Sequence, residues 1–123
     1  MLDLDFDWDT VQLPVNVLDY HYRSFQNQII PQAREKEMGI IGMKSLASGH
    51  IFKTDIKVEE AIRYSLSMPI STLVSGIDSF EVLKQNLDIV REFQPYSEEE
   101  LTELRNRFKG EAYKGQHEYY KTD

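Results

Sequence analysis

Two short stretches bring together residue types that could meet a ligand. In Met43-Lys44-Ser45-Leu46-Ala47-Ser48-Gly49, a cation directly follows an apolar run and small residues follow the cation. A lysine just past a buried strand could meet an anionic group, although a lysine at a loop mouth is most often simply solvated. Ser75-Gly76-Ile77-Asp78-Ser79 is a small-residue turn running into a helix start. Exposed backbone N–H groups and the helix dipole make such a turn able to hold a phosphate. Its plainer reading is an ordinary β–α turn, with Gly76 for backbone freedom and Asp78 as a cap. A phosphate on the same side as Asp78 would be repelled. In parallel α/β folds both stretches would lie at the end of the sheet where ligands bind.

Other chemistries find less support. His21, His50 and His117 have no metal-ligand spacing, so no metal site is expected. The carboxylates sit mostly on solvated helix faces, and no glycosidase-type pair stands out. GxGxxG, Walker A and GxSxG sequences are all absent. There is no cysteine, which excludes disulfides, thiolate metal sites and cysteine nucleophiles. A formal charge of −7 with scattered Lys and Arg gives no footprint for nucleic acid. No apolar run suits a membrane span, and the acidic N-terminus lacks a basic leader. A cytoplasmic protein is the expectation, with no nucleic-acid or membrane partner. The 123 residues, 41% apolar and 28% charged, suit one globular domain.

The elements that would position these stretches repeat in a regular order. Leu2, Leu4, Phe6 and Trp8 alternate with aspartates, as an edge strand or an approach loop would. Val11–Leu18 is a strand whose Pro14 marks a place where one backbone donor is not needed. A helix follows over about 26–38, with Pro31 in its first turn and Gly39 as a left-handed stop. Residues 40–43 read as a short buried strand. The second helix covers 58–67, with Val58, Ala61, Ile62, Ser65 and Leu66 on one face, and Pro69 ends it. Residues 70–74 form the third strand. The third helix opens at Asp78 or Ser79, with Asp78 and Glu81 as a capping pair and Phe80, Leu83, Leu87 and Val90 as its apolar face. Ser97 and Glu100 form a capping box for a last helix carrying Leu101, Leu104 and Phe108. The tail from Gly110 is polar and tyrosine-rich, lying over a surface or mobile. Residues 1–109 and 110–123 divide accordingly. Strand centres recur about every 30 residues, a βαβ period. Three parallel strands leave two open edges, whereas a complete doubly wound domain carries about five or more.

The stretches DTVQLPVNVLD, EMGIIGMKSLASG, VEEAIRYSLSMP and STLVSGIDSFEVLKQNL together resemble the last three β/α units of the aldo/keto reductase family. They resemble in particular bacterial and archaeal members whose seventh strand ends in Gly-Met-Lys. The resemblance runs from about Phe6 to Phe108. It implies an α/β fold that is part of a (β/α)8 TIM barrel: three parallel strand–helix units plus an extra C-terminal helix. It implies a parent enzyme that transfers hydride from NADP(H) or NAD(H) to a small carbonyl substrate. The family's tyrosine, lysine, aspartate and histidine lie on the first half of the barrel, so no catalytic residue carries over.

Cofactor contacts carry over one by one. Gln12 matches the glutamine that hydrogen-bonds the nicotinamide carboxamide. Met43 stands where many members stack a tyrosine on the nicotinamide. Lys44, Ser45 and Leu46 match the pyrophosphate loop. Gly76, Ile77, Asp78 and Ser79 match the loop around the adenosine phosphate, and Gln85 and Asn86 the pair near the adenine. The family's clamp on the 2′-phosphate aligns with Gly76 and Val82, which leaves NADH open beside NADPH. The alternative reading is a non-catalytic half-barrel that self-associates through open sheet edges or completes a separately encoded N-terminal half.

Overall fold

The computed structural model describes residues 2–4 and 6–121. Three strands, β1 (Thr10–Pro14), β2 (Gly39–Met43) and β3 (Thr72–Leu73), pair in parallel as one open sheet in the order β1-β2-β3. Six α-helices accompany them among the described residues. These are α1 (Phe25–Gln28), α2 (Ile30–Glu35), α3 (Val58–Leu66), α4 (Phe80–Arg91), α5 (Glu98–Arg107) and α6 (Lys109–Ala112). The α/β class and the parallel strands are as expected from the sequence. No described helix is long and apolar enough to cross a membrane.

Register divides the strand residues between two faces. Val11 lies opposite Ile40 and Leu13 opposite Gly42, and all four are buried. Burying the side chains of Val11, Leu13 and Ile40 contributes about 1.5–3 kcal/mol each. Gly42 packs closely, since a Cβ there would come 2.9 Å from Ile70 Cδ1 and would push the end of that side chain aside. Gln12, Ile41 and Thr72 share the opposite face, where Gln12 and Thr72 are exposed and Ile41 is half-buried. A parallel sheet normally has both faces covered. Here one face is packed against helices and the other is largely open.

The core joins Val15, Val17 and Leu18 beyond β1 to Ile51, Tyr64, Leu101, Leu104 and Phe108. Tyr64 is fully enclosed on α3 and ties it to two other elements. Its hydroxyl donates to Gln26 Oε1 at 2.8 Å and accepts from Arg105 Nε at 2.9 Å. Burial pushes that phenol up to about 12, against the opposing pull of Arg105. Such a buried, fully partnered hydroxyl orients helices as well as filling space.

Several boundaries differ from the sequence reading, each for a local reason. The first strand stops at Pro14 rather than Leu18 because Asn16 Oδ1 accepts from Leu18 N (3.0 Å) and Asp19 N (3.1 Å), turning the chain. Val15 N still reaches Met43 O at 2.9 Å, so Pro14 faces the outer edge, where no donor is needed. The expected helix over 26–38 is split at Ile29. Pro31 lies in the first turn of α2, and its ring cannot continue the preceding turn. Glu37, not Gly39, takes the left-handed conformation, and Gly39 opens β2 instead. The third strand keeps two ladder residues, with Ser71 N and Val74 N bonding Ile40 O and Gly42 O at its ends. Leu4, Phe6 and Trp8 lie in loop, with no strand formed; Met1 and Asp5 lie outside the described residues.

The capping box at Ser97 and Glu100 forms as expected, with Ser97 Oγ accepting from Glu100 N (3.2 Å) and Glu100 Oε2 from Ser97 N (2.7 Å). At α4 the cap is Ser79, whose Oγ accepts from Val82 N at 3.2 Å; the Asp78–Glu81 pair does not form it. The expected apolar face of α4 is present but unburied. Phe80 is 74% and Val90 53% exposed, and Leu83 is half-buried.

Candidate functional site

Parallel pairing places the segments after β2 and β3 at the same end of the sheet. On the open face, Gln12 and Met43 meet. Gln12 Nε2 donates to Met43 Sδ at 3.3 Å. A thioether is a weak acceptor, so this bond leaves the amide available to a better partner. The two residues matched to the nicotinamide are thus neighbours across β1 and β2.

Lys44 follows at once, with a left-handed backbone at φ 55°. Its Nζ donates to Ser48 Oγ at 3.1 Å and lies 5.3 Å from the centre of the Tyr120 ring. Ser45 is buried and Leu46 packs on the core edge, so these two hold the loop down rather than facing outward. Ala47 and Ser48 also take positive φ before Gly49, and the loop winds into tight turns over Ala47–Lys53. Non-glycine residues in that region are strained, and they persist only where the surroundings fix them.

The second loop is looser. Gly76, Ile77, Asp78 and Ser79 are all exposed. Gly76 takes no left-handed conformation and has open space where a Cβ would sit, so backbone freedom does not explain it. Asn86 reaches back from α4 to this loop, its Nδ2 donating to Ser75 Oγ at 3.0 Å. Gln85 faces instead a groove between α3 and α4, of about 840 Å³, lined also by Lys57, Arg63, Lys84 and Phe93. The residues matched to the adenine therefore point to different surroundings.

The C-terminal segment contributes the residues that sequence reasoning missed. It lies over the strand ends. Lys121 Nζ sits 2.6 Å from Asp19 Oδ1 and 3.0 Å from Glu118 Oε2, with all three side chains almost fully enclosed. Asp19 is further bound by Ser24 Oγ (2.8 Å), Phe25 N (3.0 Å) and Gln26 N (2.9 Å). Tyr120 donates to Glu118 Oε1 at 2.9 Å and accepts from Asn16 Nδ2 at 3.0 Å. Burial, with the Glu118 charge beside it, raises the Tyr120 phenol well above its ordinary value. An aspartate, a lysine and a tyrosine thus converge, types that perform acid–base chemistry elsewhere. Asp19 and Lys121 are closed to any substrate, so the cluster here is structural. No local sequence pattern could have announced it, because Lys121 and Asp19 are 102 residues apart.

Among the described residues no group of His, Asp or Glu side chains could hold a metal ion. His50 and His117 approach, with ring centres 6.3 Å apart, but no third donor joins them. Comparisons with protein-family models, with curated proteins and with solved structures returned no significant match.

Proposed function

We propose that this chain is the cofactor-side, C-terminal portion of an NAD(P)H-dependent aldo/keto reductase barrel, catalytically silent alone. The observation that carries the reading is the contact between Gln12 and Met43 on the open face of a sheet ordered β1-β2-β3. Strands that pair in chain order, all parallel, fit consecutive units of a barrel, whereas a doubly wound sheet reverses its order at a switch point. The uncovered face fits the inner wall of such a barrel. These features support the family resemblance carried by the sequence.

The residues fit the nicotinamide end of the cofactor. Gln12 offers one amide donor and one acceptor, the complement of a carboxamide. Met43 offers a polarisable apolar surface for a flat ring. Lys44 with Ser48 offers charge and a hydroxyl to a phosphate. When bound, a reduced nicotinamide supplies the hydride. The adenosine end fits less well, since Gly76 and Val82 bring no cation to a 2′-phosphate, which favours NADH over NADPH. A tyrosine acid is the expected partner for the carbonyl oxygen. No tyrosine here matches it, and Tyr64 and Tyr120 are engaged in the interior.

A second reading, a non-catalytic half-barrel that associates with itself or with a complementary half, draws on the exposed apolar side of α4. Titration calorimetry with NADH and NADPH separates the two. The first reading expects binding of NADH, weakened roughly tenfold in Gln12→Ala by loss of about 1–1.5 kcal/mol of hydrogen bonding. A folded, defined dimer that binds neither nucleotide would favour the module. Turnover of an aldehyde by this chain alone would sink both.

A further inference from the structure

Arg105, near the end of α5, is a half-buried cation without a carboxylate. Its Nε donates to the Tyr64 hydroxyl at 2.9 Å, and its guanidinium carbon lies 4.2 Å from the centre of the Tyr20 ring. Nη2 reaches only a sulfur, Met68 Sδ, at 3.9 Å. Among the described residues no carboxylate pairs with it, whereas Arg63, Arg91 and Arg107 each meet one, at 3.9, 3.7 and 2.8 Å. A thioether is a weak acceptor, so Nη1 and Nη2 keep their donors for a stronger partner. The ring beneath and the bond to Tyr64 already fix the guanidinium plane, which lowers the ordering cost when that partner arrives.

Arg105 lines a pocket of about 320 Å³ between α2, the segment leading into β3, and α5. Ile30, Met68 and Leu101, all buried, give it an apolar floor. Arg34 and Glu98 stand exposed at its sides. Two cations and one anion leave this lining net positive in a chain whose formal charge is −7. Small-molecule sites share that make-up, apolar walls with a few convergent polar groups. Met68 precedes β3 and the Gly76 loop follows it, so the pocket lies at the opposite end of the sheet from Lys44 and Gly76. A guanidinium fork matches the two oxygens of a carboxylate. The apolar floor suits an aliphatic body. Glu98 weighs against a second negative charge, which disfavours phosphate esters and dicarboxylates.

We propose that this pocket binds a small aliphatic monocarboxylate, with its carboxylate paired to Arg105 and its hydrocarbon on Ile30, Met68 and Leu101. The assignment is independent of the nucleotide reading, which concerns the other end of the sheet. The test titrates the full chain with isovalerate, isovaleramide and inorganic phosphate, following the Met68 and Leu101 amides and the Arg105 Nε–H by NMR. Isovalerate should give saturable shifts at millimolar concentration, the range a ligand of so few atoms supports, and isovaleramide none. Arg105→Lys keeps the charge but loses the fork, and should weaken binding roughly tenfold. Because Arg105 also holds Tyr64, two surface variants keep the test open if that variant does not fold. Arg34→Gln should weaken binding and Glu98→Gln should strengthen it, each several-fold. No saturable shift with isovalerate, equal shifts with the amide, or affinity indifferent to Arg34→Gln and Glu98→Gln overturns the assignment. So does unchanged affinity in a folded Arg105→Lys. Phosphate binding as tightly as isovalerate would overturn it too, leaving a general anion site.

Discussion

Lys121 serves two carboxylates at once, and the second of them is the less secure. Asp19 is satisfied by Ser24 and two backbone N–H groups as well as by Lys121. Glu118 has Lys121 and Tyr120, and burial pushes its carboxyl above the ordinary range although the lysine partly offsets this. A raised value in the folded state means that the folded protein takes up this proton more readily than the unfolded chain. Stability should therefore increase as pH falls through the raised value and level off below the ordinary carboxylate range, near about 4. Glu118→Gln removes the charge and keeps an acceptor for Tyr120. It should leave unfolding free energy unchanged or raise it by up to about 1 kcal/mol at neutral pH. Urea unfolding across that acidic window checks this: the advantage of the variant should vanish as pH falls. A destabilisation at neutral pH that disappears as pH falls would mean that the Lys121 pair outweighs the burial of Glu118.

Among the elements, α4 stands apart because its amphipathic pattern is complete and its apolar side faces solvent. Phe80, Leu87 and Val90 on the helix, and Val74 and Ile77 just before it, are all exposed and follow β3, the far edge of the sheet. Contiguous exposed apolar surface marks interaction or aggregation sites. The double substitution Leu87→Glu with Val90→Lys should change unfolding free energy by no more than about 0.5 kcal/mol, as expected for surface positions. Light scattering over a concentration series should show less self-association than in the parent chain. Equal association in both would move the contact to another surface, such as the outer edge of β1. The contrast with α5 shows what a sequence can and cannot specify. Ser97 and Glu100 satisfy each other within one turn, so their capping box was readable from spacing alone. The positions of β1 and β2 were readable for the same local reason, from short apolar runs. The break at Asn16 was not, because valines on both sides argue for a strand and one amide oxygen overrules them. Nor was the exposure of α4, since burial depends on a neighbour and the pattern is identical with or without one. In the candidate site, Gln12 on β1, Met43 at the end of β2 and Lys44 just beyond it lie together, whereas Asn16, Glu118, Tyr120 and Lys121 join them only through the fold.

At the scale of the molecule, the open face, both free sheet edges and the unburied side of α4 pose one question: what completes the sheet. If the chain is the C-terminal part of a reductase barrel, its complement is a set of parallel strand–helix units that supply the inner wall and the tyrosine acid. That complement should pair with β1 on one side and β3 on the other. Pro14 blunts the outer edge of β1 at a single position only, leaving Thr10 and Gln12 free to pair. Co-refolding this chain with a polypeptide carrying the first five strand–helix units of an aldo/keto reductase should then yield a stable one-to-one complex. In that complex, consumption of reduced nicotinamide with a simple aldehyde should appear where neither part alone gives any. Replacing the complement's tyrosine acid by phenylalanine should lower the rate by about 10²–10⁴-fold, the usual contribution of a positioned general acid. Gln12→Ala should instead raise KM for the nucleotide and leave the carbonyl KM nearly unchanged, because the proposed role sets Gln12 against the cofactor rather than the substrate. A complex that forms but stays silent would separate the fold of this chain from its proposed chemistry. Failure to form any complex, with this chain already dimeric, would show that a second copy closes the sheet instead.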